Sequence, residues 1–477
     1  MKEVSLKQII KVINGKILRG QLPLLDLTKG VSLDSRQVKP GELFFAFPGE
    51  RVDGHDFVNQ ALAAGAIGAV VKHWPREDSG SLTEELTAPL IQVDNVLKAL
   101  QDLAAWYRSQ FSLPVIGITG STGKTSTKDL IAAVLSKHFC TLKTAGNYNN
   151  EIGVPLTLLQ LADQHQIAVV EMAMRRRGEI AALCSLAKPT GGVITNIGHT
   201  HQELLGSQGN IARAKGELLE YLSESGWAVL NADDPWQPLI ASETRAKKIF
   251  YGLKQPAEVF ASHIQLLGSS GSRFRVHLPG EVRDISLPIP GEHNIYNALA
   301  AIGVGWLMGM RLEEMADGLA EARLSAMRLD VRAGDQGTIL INDAYNANPD
   351  SMRAALRVLA NTEGKRTIAI MGDMYELGDY TEEGHRRVGE DAAHLGISLL
   401  ITVGQLAEGI ARGALGAGMS LDQVVTVLDK KEAVNYVREY RKPGDVILVK
   451  GSRGMKMEEI VKALQPAGPD GGDNKSV

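Results

Sequence analysis

Cysteine is nearly absent: the 477 residues contain two, Cys140 and Cys184. They form no C-x-x-C pair, so neither a cysteine zinc site nor a disulfide framework is expected. No run reaches the ~18 apolar residues that a membrane-crossing helix needs. The opening MKEVSLKQIIKVINGKIL also lacks the long apolar stretch of a secretory leader. Basic residues are not in excess: Lys and Arg number 51, Asp and Glu 55, and the net charge is -4. No basic face for nucleic acid is therefore expected. No internal repeat appears. These absences together point to a reducing, cytoplasmic compartment, with no nucleic-acid partner and no membrane span. What remains is ordinary globular sequence, 44% hydrophobic and 22% charged, long enough for about three domains at ~150 residues each.

Residues 1 to about 95 mix short helices with short strands, expected at Leu43–Phe47, Ile67–Val71 and Leu90–Val93. NVLKALQDLAAWYRSQF then reads as a helix, and Pro114 marks a join. From Val115, apolar runs alternate with helical stretches: AVVEMAM (168–174), GGVITNI (191–197) and WAVLNADD (227–234). That alternation predicts a parallel sheet with helices on both faces. Residues 255–290 depart from it. VFASHIQLL, SRFRVHL and VRDISLPI are separated by Gly, Ser and Pro, which predicts antiparallel hairpins. GEHNIYNALAAIGVGWLM opens another helix, and after about residue 325 the alternation restarts with GTILINDAY, RTIAIMGDM, SLLITVG and DVILVKGS. Open parallel sheets bind ligands beyond the C-terminal ends of their strands, which is where Asp343, Asp373, Gly404 and Gly451 are expected. The tail PAGPDGGDNKSV is low in complexity and expected to be disordered.

The strongest local signal is VIGITGSTGKTSTKDLIAAVL (115–135). A β-branched strand stops at Gly120, a Gly/Ser/Thr loop follows, and Lys124-Thr125 opens a helix with one apolar face. Strand, glycine loop, Lys-Thr and helix make a phosphate cradle. The strict G-x-x-x-x-G-K-[ST] spacing asks for Gly at 118, where this chain has Ile118. The loop is thus a compact variant. Backbone N–H groups of 120–125 are expected to wrap the phosphates, with the Lys124 ammonium between them and the Thr125 hydroxyl on Mg²⁺.

GITGSTGKTSTK resembles the ATP loop of the Mur ligase family and of its relatives, the folylpolyglutamate synthetases. VSLDSRQVKPGELFFAFPGERVDGHDFV (31–58) looks like the family's UDP-sugar segment. TAGNYNNEIGVPLTLL (144–159), EMAMRRRGEI (171–180), NIARAKGELL (210–219), GEHNIYNALAA (291–301), INDAYNANPDSM (341–352), GDMYELGD (372–379) and DVILVKGSRGMKME (445–458) follow in family order. The D-N-P-R motif of one branch is missing, and NDAYNANP stands in its place. That pattern is typical of the branch that adds a D-alanyl-D-alanine dipeptide. One departure is HTHQELLGS, where Gln202 replaces the family's leucine after His201.

The resemblance implies an α/β fold of three domains: a small N-terminal α/β domain for the UDP-sugar (1–95), a central ATP-binding P-loop-type parallel-sheet domain with an antiparallel addition (96–325), and a C-terminal Rossmann-like domain that closes on ATP and binds the incoming dipeptide (326–462), followed by a disordered tail (463–477). It also implies ATP-dependent ligation of D-alanyl-D-alanine to UDP-N-acetylmuramoyl-tripeptide by a monomer, with Mg²⁺ at two sites.

Each candidate residue has a plainer reading. Glu171 after IAVV is a strand-edge charge or, by resemblance, a Mg²⁺ ligand, since an unpaired buried carboxylate is costly. His199 and His201 could be loop polarity; resemblance gives His201 the second metal site and His199 no role. Lys215 reads as a solvated helix lysine, whereas the family implies a carbamylated lysine that helps to bind metal and take part in catalysis with Lys124. Asn294 could cap its helix and Asn297, one turn in, has no capping role; by resemblance both are ATP contacts, Asn297 to the adenine. Arg328 and Asp343 are surface charges or, in the family, contacts to phosphate and to ribose or a neighbouring cation. The ATP contacts implied are Gly120, Ser121, Thr122, Gly123, Lys124, Thr125 and Ser126; the metal ligands are Thr125, Glu171, His201 and Lys215. Substrate contacts implied are Asp34, Ser35 and Arg36 for the UDP-sugar, with Asn147, Asn149, Asn346, Asn348, Lys450, Ser452 and Arg453. From the loop alone, a P-loop kinase, a regulatory ATPase and a non-catalytic nucleotide-binding module remain alternatives.

Overall fold

The computed structural model describes residues 1–23, 26–49, 52–73 and 88–466. The chain divides into two compact units. One holds Met1–Gly117, Phe139–Met174 and Gly178–Gly191; the other holds Ile118–His138, Arg175–Arg177 and the chain from Gly192 onward. This partition differs from the expected limits at 95 and 325. The helix Val96–Arg108, expected to lead the second domain, packs within the first unit on the helices Gly153–Leu158 and Glu179–Ala187.

In the first unit a five-stranded sheet runs in the order Lys16–Arg19, Leu90–Gln92, Gly68–Val71, Glu42–Phe45, Gly30–Ser32. The last four are parallel and Lys16–Arg19 is antiparallel to its neighbour. Phe44, Ala46, Ala69, Val71 and Leu90 form a core under the helix Val58–Ala63. Asn95 caps Val96–Arg108 by accepting from Lys98 N, as its residue type favours. At the other end Arg108 is buried and donates to the carbonyls of Phe111, Leu113 and Ala187. That satisfies the segment before Pro114 without regular structure. The strands Thr141–Lys143 and Ile167–Glu171 pair in parallel.

The second unit contains the helix Lys124–Leu135, which packs on the helices Glu292–Leu307 and Leu312–Ala320. Strands Trp227–Asn231, Lys247–Gly252 and Val259–Leu266 are parallel; Ser272–Leu278 and Glu281–Leu287 then continue antiparallel. The expected hairpins of 255–290 are therefore present.

Beyond them lies a six-stranded sheet in the order Asp330–Ala333, Ile339–Asn342, Val446–Lys450, Thr367–Gly372, Leu399–Val403, Val424–Val427. All but the first strand are parallel. Their apolar runs are continuous because both faces are covered. Ile368, Ile370, Leu399, Ile401, Ile447 and Val449 enter one core; Ala369, Met371, Leu400 and Leu448 enter the other. Asp343, Asp373, Gly404 and Gly451 each follow a strand's last residue, at the sheet edge where they were expected. The helix Glu458–Leu464 runs two residues past the expected end at 462. The remainder of the expected disordered tail, 467–477, lies outside the described residues.

The helices Thr381–His394 and Glu408–Gly416 on this sheet approach so closely that a Cβ at Gly389 would fall 1.9 Å from the Ile410 carbonyl oxygen. Gly389→Val must push the helices apart. Overpacking of this kind costs about 1–3 kcal/mol, so we expect a lower urea midpoint for the full chain. A midpoint equal to the parent's would contradict this packing.

Candidate active site

The strand Val115–Thr119 is buried along its whole length and delivers the loop 120–123. Ile118 is fully buried in it. Position 118 is thus strand core rather than loop, which explains the missing glycine of the strict motif. Gly120 and Gly123 are required by close approach. A Cβ on Gly120 would lie 1.8 Å from Thr195 Oγ1, and one on Gly123, at φ +78°, 2.9 Å from Asn297 Oδ1.

Asn196 supports the loop from beneath. Its carbonyl accepts from Ser121 N (2.9 Å) and its Oδ1 from Thr122 N (3.0 Å), while Thr195 Oγ1 donates to the Thr122 carbonyl. Two of the N–H groups expected to wrap phosphate are therefore held inside the protein. The cradle falls to the N–H groups at the start of the helix Lys124–Leu135, where helix ends favour anions. Lys124 Nζ turns back onto the Gly120 carbonyl at 2.7 Å.

Lys215 lies on the helix Gln208–Tyr221, capped by Ser207. The solvated-lysine reading fails: Lys215 is 1% exposed. Burial first, and then the charge of Lys124, push its pKa well below the usual lysine value. His201 is driven down to about 4, first by burial and then by Lys215, Lys124 and Arg175. Neutral imidazole and weakened ammonium have one origin, low solvation beside concentrated positive charge.

Arg328 joins this centre from the segment before the six-stranded sheet. Its Nη2 donates to Thr125 Oγ1 at 2.8 Å, and its guanidinium carbon sits 4.2 Å from the Tyr345 ring centre. Met327 (φ +62°) and Leu329 (φ +50°) flank it in the left-handed region, each at about 1–3 kcal/mol of strain. Ser325 N and Oγ both donate to Asp129 Oδ2 on the phosphate-loop helix, and Leu329 N donates to Asp343 Oδ1. Asp343 in turn pairs with the buried Lys450 at 2.5 Å.

Several expected site residues have internal partners. Asn294 does not cap its helix, whose cap position is Gly291; its Nδ2 donates to the Pro290 carbonyl. Asn297 Nδ2 donates to Asn294 Oδ1, and Thr127 donates to Asn297 Oδ1. Asn348 caps the helix Pro349–Asn361, accepting from Ser351 N. Ser452 Oγ accepts from Tyr375 N. Lys450 also donates to the Asn346 carbonyl, and Arg453 pairs with Glu458.

In the first unit, Glu171 is 1% exposed. Its Oε1 accepts from Asn149 Nδ2 at 2.7 Å, while its Oε2 is buried with no hydrogen-bond partner. Asn147 contributes its carbonyl to Asn149 N. Arg36 forms a two-pronged pair with Asp34 and holds that carboxyl down to about 2. Ser35 Oγ donates to Gln60 Oε1.

The structure thus brings together Gly123, Lys124, Thr125, His201, Lys215, Asn297 and Arg328, and separately Asp343, Asn346 and Lys450. Asn196, Tyr345 and Glu376 (whose carboxylate lies 3.3 Å from His201 Nδ1) were not anticipated. Asn196 carried a faint signal, a lone amide closing the apolar run GGVIT; Tyr345 meets Arg328 across a turn of the chain, and Glu376 lies far in sequence from His201.

Residues 118–305 match the model of the Mur ligase middle domain, 327–453 that of the Mur ligase glutamate ligase domain, and 28–108 that of the Mur ligase family catalytic domain. The UDP-N-acetylmuramoyl-tripeptide–D-alanyl-D-alanine ligase of Bacillus subtilis is 39% identical over 96% of this chain and 98% of its own. A crystal structure of MurF from Acinetobacter baumannii superposes with a TM-score of 0.87 at 32% identity, covering 97% of this chain and 99% of its own. MurF from Thermotoga maritima in complex with ADP gives 0.78 at 26% identity, over 92% and 97%.

Two outcomes follow from this geometry. Asn196→Ala keeps the backbone carbonyl that accepts from Ser121 N but removes the side-chain acceptor for the half-buried Thr122 N, a net loss of about 1 kcal/mol. We expect ATP to bind several-fold more weakly, with the thermal midpoint nearly unchanged; unaltered ATP affinity in an equilibrium titration would refute the supporting role. His201 has a folded value of about 4 against an ordinary 6.5. Between those values the unfolded chain binds a proton that the folded chain does not, so this group lowers stability as pH falls through the window. His201→Gln should flatten that part of the acid-stability profile.

Proposed function

The chain belongs to the Mur ligase family, and from that membership we propose that it ligates D-alanyl-D-alanine to the terminal carboxylate of UDP-N-acetylmuramoyl-tripeptide, using ATP. The observation that carries the reading is the cationic loop: Lys124 Nζ rests on the Gly120 carbonyl, and Arg328 Nη2 donates to Thr125 Oγ1 at 2.8 Å. Such a site brings together two anions that repel in water, the ATP phosphates and a carboxylate.

A carboxylate is a poor acyl donor because oxide is a poor leaving group. Its oxygen attacks the γ-phosphorus, the bond to ADP breaks, and an acyl phosphate forms. The dipeptide amine then attacks the carbonyl carbon, phosphate departs with the C–O bond electrons, and the amine loses a proton to leave an amide. Lys124 stabilises the charge on the moving phosphoryl group, and Arg328 is placed to do so from Thr125.

Mg²⁺ would suit the oxygen donor Thr125 Oγ1, with neutral His201 on the same unit; in the first unit the orphaned Glu171 Oε2 is, taken by itself, a fitting oxygen ligand for such a cation. The cation would offset charge on the transferring phosphates. Lys215 fits that role only as a carbamate, since its ammonium repels a cation. Its depressed pKa supports the modification, because the neutral amine is the form that adds CO₂. We assign the UDP-sugar to residues 1–95, ATP to 96–325 and the dipeptide to 326–462. No helix among the described residues is long and apolar enough to cross a membrane; dependence on ATP supports our assignment of the reaction to the cytoplasm.

The test is ADP release with each substrate omitted in turn. A ligase needs both the UDP-linked tripeptide and the dipeptide; turnover without the dipeptide would instead indicate a kinase or ATPase. Lys124→Ala should lower turnover by at least ~10²-fold, the scale of one lost transition-state donor, while UDP-sugar binding is kept. Lys215→Ala should lose most activity and regain part of it when short carboxylic acids are added. Full rate for Lys215→Ala in CO₂-free buffer would exclude the carbamate.

A further inference from the structure

The segment after the strand Thr367–Gly372 docks on the loop that carries His201 at three successive places. Glu376 Oε2 lies 3.3 Å from His201 Nδ1, with its other oxygen 3.7 Å from Arg175. A Cβ on Gly378 would stand 3.0 Å from Glu203 Cα, a close approach that a side chain would obstruct. The Tyr380 ring stacks on His199 with centres 4.8 Å apart, which gives a role to the histidine that the sequence left without one. His201 (φ +60°) and Glu376 (φ +63°) are both left-handed without being glycine. Strain of this kind persists only where surrounding contacts over-determine it.

We propose that Glu376 is a positioning residue for His201: its carboxylate holds the proton on Nδ1 and thereby leaves the Nε2 lone pair for a divalent cation. The proposal rests on the reading of His201 as a metal ligand. A neutral imidazole has one N–H and one lone pair, and a carboxylate only accepts, so Glu376 selects between the two tautomers. At 3.3 Å the contact is slightly longer than a formed hydrogen bond. Carboxylate partners of this type fix the orientation of metal-bound histidines, and their loss costs about 10–100-fold in metal affinity. Glu376 is half-exposed and His201 neutral, so the contact contributes little as an ion pair, and its value lies in orientation. The partner comes from the six-stranded sheet, so the histidine acquires its tautomer only while that segment is docked.

Mn²⁺ titration of the ADP-bound full chain, followed by electron paramagnetic resonance, tests this. Glu376→Ala should raise the Mn²⁺ Kd about tenfold, with ADP affinity and the metal-free thermal midpoint unchanged. Glu376→Gln, which keeps an accepting oxygen, should lie between that variant and the parent. His201→Ala supplies the reference. If His201→Ala weakens Mn²⁺ binding and Glu376→Ala does not, the positioning role is wrong and the metal reading survives. If neither weakens it, the metal reading falls and the inference falls with it. Tighter Mn²⁺ binding by Glu376→Ala would mean that the carboxylate plugs the site, and would also overturn the proposal.

Discussion

One constraint organises this site: an amine buried to 1% exposure next to a second lysine. Removing an ammonium from water is costly, and a like charge nearby adds to the cost. The chain lowers that cost by shifting Lys215 toward its neutral form. An arriving polyphosphate would lower it further. The Lys124 ammonium meanwhile rests on the loop's own carbonyls, so the loop is already shaped around a cation before nucleotide binds. His201 shares that environment: burial first, and then the positive charge around it, keep it neutral, so that it can offer a lone pair where an exposed histidine would compete for protons.

The scaffold was largely legible. The runs RTIAIMGDM, SLLITVG and DVILVKGS read as buried parallel strands because both of their faces are covered, and the split of Ile368 and Ile370 from Ala369 and Met371 shows that alternation within an all-apolar run. Turning residues were legible for the same reason: a strand that ends in Asp343 or Asp373 ends where the sheet does. The phosphate loop was visible despite Ile118, because strand, glycines and Lys-Thr together constrain more than the spacing alone.

Burial and distant partners were not legible. ARAKGELL has the composition of a wet helix face, and only tertiary packing removes Lys215 from water. Asn348 reads as a ligand contact beside Asn346, yet its side chain closes the first turn of a helix, a local hydrogen bond for which Asn competes well. Asn196 meets a loop about seventy-five residues before it, and Tyr345 meets a guanidinium on a neighbouring segment. Sequence patterns record periodicity along one element; they do not record which side chain lies across from another.

The segment 325–329 ties the helix Lys124–Leu135 to the edge of the six-stranded sheet. Its first residue is tied by two hydrogen bonds to Asp129 on the phosphate-loop helix, and its last donates to Asp343 at the sheet edge. Between them, left-handed Met327 and Leu329 hold Arg328 with its guanidinium between the Thr125 hydroxyl and the Tyr345 ring. A hydroxyl is a neutral acceptor, and a phosphate oxygen binds guanidinium about twice as strongly. An anion at the loop therefore competes with Thr125 for Arg328 and frees the hydroxyl oxygen for a cation. The residues on either side of Arg328 lie in the left-handed region, and the strand Asp330–Ala333 follows directly. With Arg328 on that strained connection rather than on the sheet itself, a single residue separates the group that meets Thr125 from the strand Asp330–Ala333.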